Sequence, residues 1–246
     1  QGALRRLMGL PNGIILVTGP TGSGKTTTLY TALKDLNRPE LKLFTVEDPI
    51  EYQLSGINQI QVQPQIGLDF PLALRSILRQ DPDIIMIGEI RDLETARIAI
   101  QAALTGHLVF STLHTNSAIA AITRLVDIGL ERYLLASTIA GVMAQRLFRK
   151  LCPACSRSHT DSDRMHGKLK MAIAEYPRLD WSHSGEPVGC DACGNTGYRG
   201  RTTISELLVV DDGIRESIGR RAQDQRAVEQ IARESGFHTL YEDGLS

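Results

Sequence analysis

Short apolar runs alternate with amphipathic segments along the first 150 residues, and this pattern predicts the fold. Continuous apolar runs typical of buried strands occupy residues 14–18, 41–46, 84–87 and 108–112. Segments with the apolar spacing of a helix occupy residues 27–36, 71–79, 93–104 and 133–147. Strands that alternate with helices predict a mainly parallel sheet covered on both faces, and therefore an α/β fold.

The pattern changes beyond Lys150. Residues 151–200 are rich in Cys, Gly, Pro, Ser and His and have little apolar periodicity, whereas a strand-like run returns at 202–210 and helical spacing at 215–235. We expect three parts: a core over residues 1–150, a small cysteine-bearing subdomain over 151–200, and a C-terminal strand with one or two surface helices over 201–246.

Two finer expectations concern connections in the core. A polar, Gln-rich connection without regular structure is expected up to Gln65. Asn116 is expected to cap the helix that follows the strand at 108–112, because a side-chain oxygen at that position can accept hydrogen bonds from free backbone N–H groups.

Composition and charge limit the partners of this 246-residue chain. Its 27 Lys and Arg residues nearly balance its 28 Asp and Glu residues, so no global positive field attracts nucleic acid or anionic lipid. No apolar run approaches the roughly 18 residues of a membrane-spanning helix, and the first residues lack the layout of a signal peptide. We therefore expect a cytosolic protein, unless a partner holds it at a surface.

The glycine-rich segment after the first strand carries the clearest chemistry. It matches G-x-x-x-x-G-K-[ST] and lies between a predicted strand and a predicted helix. Glycines let such a loop curl until backbone N–H groups point at a phosphate, while Lys25 reaches the β- and γ-phosphates and Thr26 ligates Mg²⁺. A glycine-rich turn without a ligand is the alternative. The predicted nucleotide-binding residues are Gly19, Pro20, Thr21, Gly22, Ser23, Gly24, Lys25, Thr26 and Thr27.

Acidic and histidine residues follow three further predicted strands. Glu47 is the first of three carboxylates within residues 47–51, and a carboxylate near the γ-phosphate is suited to act as a general base; a solvated turn is the alternative. Glu89 follows the strand at 84–87, where a carboxylate can hold Mg²⁺ through water or polarise the attacking water; a carboxylate that only makes the strand end soluble is the alternative. His107 and His114 lie on either side of the strand at 108–110, and a structural histidine is the alternative for each. Thr112 and His114 lie at or just past the end of that strand, within reach of a γ-phosphate if it neighbours the first strand, and this polar pair is suited to sense whether the phosphate is present.

Several arginines flank the strand that leads to Glu89. An arginine can stabilise the negative charge that phosphoryl transfer spreads over the γ-oxygens. We expect ordinary surface salt bridges for at least two of the four. They are Arg75, Arg79, Arg91 and Arg97.

Two C-x-x-C pairs, Cys152 with Cys155 and Cys190 with Cys193, lie in the subdomain. In a reducing compartment such pairs more often hold a metal than form disulfides. Four thiolates fit one tetrahedral Zn²⁺ and leave no open position for catalysis. Unliganded buried thiols are one alternative. Replacement of a cysteine ligand by a histidine is another, and the candidates are His159, His166 and His183.

Four segments, in order, resemble the Walker A, Asp box, Walker B and His box of the secretion ATPase superfamily. They are residues 19–30, 45–52, 81–92 and 105–116. The chain is similar to the C-terminal ATPase domain of a type II secretion or type IV pilus assembly motor, and its cysteines resemble the tetracysteine element of that branch. The resemblance implies a RecA-like P-loop core with ATP, Mg²⁺ and Zn²⁺. It also implies a homo-hexamer in the cytoplasm that docks on a platform protein at the cytoplasmic face of the bacterial inner membrane.

The resemblance also implies roles for individual residues. Glu47 corresponds to the water-activating base, Glu89 to the Walker B carboxylate, and His107 and His114 to the His-box members. Family members usually carry a preceding domain that supplies arginines to the nucleotide site. Because Gln1 lies shortly before the first strand, we expect this chain to lack that domain.

Other functions stay compatible with these residues. A nucleic-acid-dependent P-loop ATPase with a zinc module needs a basic stripe, but residues 151–200 hold six Lys and Arg against six Asp and Glu. A nucleotide-regulated scaffold with negligible turnover is a further alternative. The type II secretion and pilus assembly branches share every segment quoted above, so the sequence does not separate them.

Overall fold

The structure, a computed structural model, describes residues 2–158, 185–220 and 225–245. The chain divides into two compact units, one of residues 1–146 and 205–240 and the other of residues 147–204 and 241–246. No helix among the described residues is long and apolar enough to cross a membrane.

The described strands and helices are numbered in chain order. The strands are β1 (Gly13–Thr18), β2 (Leu43–Glu47), β3 (Asn58–Gln61), β4 (Ile84–Ile87), β5 (Leu108–Leu113), β6 (Ile139–Leu151), β7 (Arg157–Ser158), β8 (Gly185–Glu186) and β9 (Tyr198–Val209). The α-helices are α1 (Gly2–Met8), α2 (Lys25–Leu36), α3 (Phe70–Ile77), α4 (Leu93–Leu104), α5 (Ala118–Ile128), α6 (Arg132–Thr138), α7 (Asp212–Gly219), α8 (Gln225–Glu234) and α9 (Leu240–Leu245).

The main sheet has the order β3-β2-β4-β5-β1-β6-β9. The pairings of β1 with β5 and β6, of β2 with β3 and β4, and of β4 with β5 are parallel. In register, Val46 lies beside Ile87, and Ser111 lies beside both Ile87 and Leu16. Parallel strands in this register bring the residues that follow β2, β4, β5 and β1 to one edge of the sheet.

Helices cover both faces of the sheet, as the alternation of elements predicts. Successive side chains of a strand point to opposite faces, and in β1 Ile14 and Leu16 join one buried apolar cluster while Ile15 and Val17 join the other. Helices α3, α4 and α5 contribute to the first cluster, and α1 and α2 to the second. The sheet is therefore held between two apolar layers that fix its carboxyl edge.

The helix predicted over residues 133–147 is wrong. Helix α6 ends at Thr138, and Ile139 begins β6, which pairs with β1. The Ala, Met, Gln and Leu residues of this segment favour a helix in isolation. In the sheet, β6 lies between β1 and β9 and pairs with both, and this pairing overrides the local preference. Gly141 suits the crowded position, because a Cβ there would lie 2.5 Å from Cδ1 of Leu7.

Two finer expectations are also wrong. The Gln-rich connection contains β3, an edge strand that pairs with β2. Backbone hydrogen bonds form this pairing, and the mostly polar sequence of β3 shows no apolar alternation that would predict a strand. Helix α5 is capped by Ser117, whose hydroxyl accepts a hydrogen bond from the Ala120 N–H (3.2 Å). The Asn116 amide oxygen instead accepts a hydrogen bond from Arg146 (3.0 Å).

Candidate functional site

The loop between β1 and α2 curls tightly. Gly22 and Gly24 have φ angles of 77° and 91°, in the left-handed region that favours glycine. A Cβ on Gly19 would lie 2.4 Å from the Gln145 carbonyl oxygen, so this position requires glycine as well. The Ser23 hydroxyl is buried and has no hydrogen-bond partner among the described residues. An unpartnered buried polar atom in a curl at a helix N-terminus fits a loop that binds an anion.

Lys25 begins α2, and its side chain lies against the loop. Nζ donates hydrogen bonds to the carbonyl oxygens of Gly19 (3.0 Å) and Pro20 (3.2 Å). Burial lowers the pKa of Lys25, and the nearby Glu89 carboxylate opposes that shift. Thr26 follows in the first turn of the helix and is half-buried.

The loop is also contacted by a side chain of β6, Gln145, which the sequence analysis does not predict at this site. Gln145 is 1% exposed; its Nε2 donates to the Ser23 carbonyl oxygen (2.7 Å), and its Oε1 accepts from the Thr28 hydroxyl (2.9 Å). The helix predicted over residues 133–147 does not place Gln145 beside the loop. The β-branched pair Thr138–Ile139 was the available signal for a strand start.

Glu89 and His114 meet at the carboxyl edge of the sheet. The Glu89 side chain is 14% exposed and forms an ion pair with Arg91, and its Oε2 lies 3.6 Å from Nε2 of His114. The hydrogen bond from Arg91 to Glu89 raises the pKa of Arg91. A carboxylate, an imidazole and a guanidinium thus lie together just beyond β4 and β5.

Of the four arginines that flank the strand leading to Glu89, at least two were expected to form ordinary surface salt bridges, and this expectation is confirmed. Arg75 pairs with Glu94 (2.5 Å) and Arg97 with Glu131 (3.7 Å). Exposed pairs of this kind contribute little to stability. Of the four arginines considered, Arg91 is the one whose ion pair reaches Glu89.

Glu47 ends β2 and is 3% exposed, and three donors surround its carboxylate. Oε1 accepts hydrogen bonds from the Thr45 hydroxyl (2.5 Å) and from Nε2 of Gln59 (3.1 Å). Oε2 accepts one from the Tyr30 hydroxyl. Burial and the Glu47 carboxylate raise the pKa of Tyr30, so the phenol keeps its proton. Tyr30 is a second side chain that sequence interpretation missed.

Threonine hydroxyl groups hold the strand ends in place. Thr18 Oγ1 donates to the Leu113 carbonyl oxygen (3.0 Å) and accepts from the Thr115 N–H (2.9 Å). Thr112 Oγ1 donates to the Gly88 carbonyl oxygen (2.6 Å). These contacts fix the ends of β1, β5 and β4 relative to one another, and with them the loop, Glu89 and His114.

His107 does not join this group. It precedes β5, and its Nδ1 lies 2.8 Å from the Ala102 carbonyl oxygen and 3.1 Å from the Thr105 hydroxyl. Strand β5 separates His107 from His114, and at roughly 3.3 Å per residue the two lie about 20 Å apart. The structure therefore brings only one of the two His-box members to the carboxyl edge of the sheet.

The four cysteines converge in the unit of residues 147–204 and 241–246. Their sulfur atoms all lie within 4.8 Å of one another. Cys152 and Cys190 are 4.0 Å apart, Cys155 and Cys193 3.9 Å, and Cys190 and Cys193 3.8 Å. Tetrahedral zinc with Zn–S bonds of about 2.3 Å requires sulfur separations of about 3.8 Å, so this donor set fits the metal.

Backbone N–H groups point at two of these sulfurs. Gly189 donates to Cys155 (3.3 Å), and Cys190 and Gly197 donate to Cys193 (3.2 Å each). Burial raises the pKa of the Cys193 thiol, but the donors outweigh it and lower that pKa to about 6. Burial dominates at Cys155 and raises its pKa to about 11. The histidines considered as replacement ligands, His159, His166 and His183, lie outside the described residues.

Comparison with known families identifies related proteins. The model of the family described as "Type II/IV secretion system protein" matches residues 1–246. The chain is 58% identical over 250 residues to Type II secretion system protein E of Xanthomonas campestris pv. campestris and 52% identical over 241 residues to Type II secretion system ATPase E of Vibrio cholerae serotype O1. These alignments cover 98% of the chain but only 42% and 46% of the relatives. The chain thus spans less than half the length of either protein.

Solved structures share the fold. The crystal structure of the pilus retraction motor PilT with bound ADP matches with a TM-score of 0.66 and 31% identity, covering 99% of this chain and 63% of that one. The ATPase DotB of Legionella pneumophila matches with a TM-score of 0.67 and 24% identity, covering 99% and 58%. The predicted α/β, RecA-like class is therefore confirmed.

Proposed function

Because the chain belongs to the type II/IV secretion system protein family, we propose that it hydrolyses ATP and that the energy drives type II protein secretion. A relative at 52% identity is named Type II secretion system ATPase E, and the similar pilus motor structure holds ADP. The names of the relatives favour type II secretion over pilus assembly, a choice that the sequence motifs leave open. The nucleic-acid and scaffold alternatives gain no support from these relatives.

One observation carries the proposal: four strands of one sheet end in register, and a group that phosphate chemistry needs lies at or just after the end of each. The anion-binding loop with Lys25 follows β1, Glu47 ends β2, Glu89 follows β4 and His114 follows β5. The unpartnered Ser23 hydroxyl in the curl supports a phosphate in the loop.

We assign the following roles. Residues 19–27 bind the triphosphate through backbone N–H groups, and Lys25 exchanges its loop carbonyls for the β- and γ-phosphates. Thr26 would hold Mg²⁺, which when bound neutralises phosphate charge. Glu47 acts as the general base toward water. Glu89 would hold the metal ion through water, and His114 lies beside Glu89. Each of these roles is a proposal.

The tetracysteine cluster is proposed to hold one Zn²⁺ as a structural element. Cys152, Cys155, Cys190 and Cys193 would supply all four ligands, which leaves no open position for catalysis. We also propose a core over residues 1–150, a zinc-binding subdomain over 151–200 and a C-terminal part over 201–246. A homo-hexamer at the cytoplasmic face of the bacterial inner membrane, docked on a platform protein, completes the proposal.

Lys25→Ala in the full-length protein tests the proposed activity. We expect ATP hydrolysis to fall by about a hundredfold or more, because a charge that stabilises the transferred phosphoryl group is removed. Lys42→Ala removes another lysine, exposed and in a long ion pair with Asp81 (3.8 Å), and should leave the rate unchanged. Undiminished hydrolysis by Lys25→Ala would contradict the assigned site.

A further inference from the structure

The hydrogen bond between Tyr30 and Glu47 joins the helix of the nucleotide loop to the proposed base. Tyr30 lies in α2, five residues after Lys25, and its side chain is completely buried. We propose that Tyr30 is a positioning residue for ATP hydrolysis, which fixes the oxygen of Glu47 that receives the proton from water. This inference rests on the proposed role of Glu47.

The pattern of donors around Glu47 distinguishes its two oxygens. A carboxylate oxygen has two lone pairs. Oε1 uses both, because it accepts hydrogen bonds from Thr45 and Gln59. Oε2 accepts the bond from Tyr30 and keeps one lone pair. A proton from water can therefore be received only at Oε2, and Tyr30 is the donor that orients this atom.

The surroundings of Tyr30 give its hydroxyl a fixed place. The ring belongs to the apolar cluster between α2 and the sheet, and the Tyr52 ring packs edge-on against it at 4.7 Å between centroids. Because the phenol stays protonated, its O–H donates to the Glu47 carboxylate, while its oxygen accepts a long hydrogen bond from Nε2 of Gln59 (3.5 Å). A rigid ring with a single polar tip is suited to hold a carboxylate at one angle.

The hydrogen bond between Tyr30 and Glu47 links parts of the protein that are not neighbours in the sheet. Strands β4 and β5 separate β2, which carries Glu47, from β1, which leads into the nucleotide loop. Helix α2 packs on the same face as Glu47 and begins at Lys25, so the Tyr30 hydrogen bond connects base and loop through one rigid element. Catalysis is sensitive to small errors in such distances.

Tyr30→Phe in the full-length protein removes the donor and keeps the ring. We expect kcat to fall by roughly tenfold or more, the scale of one lost hydrogen bond to a charged group, while KM for ATP and the affinity for fluorescent ADP stay within about twofold. Rates are expressed per ADP-binding site, so that unfolded protein does not lower them. Tyr52→Phe is the matched control, because it removes a hydroxyl from a half-exposed tyrosine in contact with the same ring, and it should behave as wild type.

Glu47→Gln separates failure of this inference from failure of the proposed function. If Glu47→Gln retains full activity, Glu47 is not the base, and both the assigned role and the inference are wrong. If Glu47→Gln is inactive but Tyr30→Phe hydrolyses ATP normally, only the positioning role is wrong. The inference expects Tyr30→Phe to cause no further loss in the Glu47→Gln background, since both changes act on the same step; independent losses would overturn it.

Discussion

Gln145 on β6 contacts the glycine-rich loop between β1 and α2 through its side chain, donating a hydrogen bond of 2.7 Å to the carbonyl oxygen of Ser23. The same amide accepts a hydrogen bond from Thr28 in the first turn of α2. The curl of the loop thus depends on a strand that follows it by more than a hundred residues in the chain.

Gln145→Leu should weaken nucleotide binding. The change leaves the buried Ser23 carbonyl without its donor, at a cost of about 1–2 kcal/mol, which corresponds to a Kd for ADP that is roughly five- to thirtyfold higher. A fluorescence titration with labelled ADP measures this. Gln101→Leu, the same change on the exposed face of α4, serves as the control. Equal affinity of the Gln145 variant and wild type for ADP would show that nucleotide binding does not depend on the Gln145 hydrogen bonds.

Metal analysis tests the cysteine cluster. Protein purified without chelator should contain about one zinc per chain, as one four-thiolate site predicts. Cys193→Ser should lose most of that zinc, and Ser156→Ala, which alters an exposed neighbour of Cys155, should keep it. Metal-free wild-type protein would contradict the proposed site.

Glu206 on β9 makes stability depend on pH. Its buried carboxylate accepts hydrogen bonds from the N–H groups of Ala118 (2.6 Å) and Leu240 (2.9 Å), the first residues of α5 and α9. Burial raises the pKa of Glu206 above its ordinary value of 4.5; the two N–H donors and Arg146 oppose the shift, and Glu229 adds to it.

The sign of the effect follows from proton binding. Between the ordinary pKa and the raised one, the folded state binds more protons than the unfolded state, so the contribution of Glu206 to the free energy of unfolding falls as pH rises through that window. The Glu206→Gln variant has no ionisable group at this position and therefore lacks this pH-dependent contribution to the free energy of unfolding. Urea unfolding at several pH values from about 4 upward should show a wild-type-minus-variant difference that decreases with pH. A difference in the free energy of unfolding that stays constant with pH would contradict a raised pKa for Glu206.

Features determined locally could be predicted from the sequence. The strand, the glycine curl and Lys25 lie within a dozen residues, and their order alone predicts an anion-binding loop. Helix α4 has the predicted limits, Leu93 to Leu104, because its apolar spacing, its cap Asp92 and the following Gly106 agree. Glu89 and His114 were predicted near the loop from their places at strand ends, and they lie 3.6 Å apart.

Features determined by distant contacts could not be predicted in this way. Strand β6 has residues that favour a helix, and only its pairing with β1 decides its conformation. The contact of Tyr30 with Glu47 requires knowing which face of α2 packs on the sheet.

A structure of the full-length protein with Mg²⁺ and a non-hydrolysable ATP analogue tests the central claim most directly. We predict the triphosphate in the curl of residues 19–27, with Nζ of Lys25 transferred from the loop carbonyls to the phosphates and with Glu47 and Glu89 facing the γ-phosphate. An empty curl, or carboxylates turned away from the bound phosphates, would contradict the account.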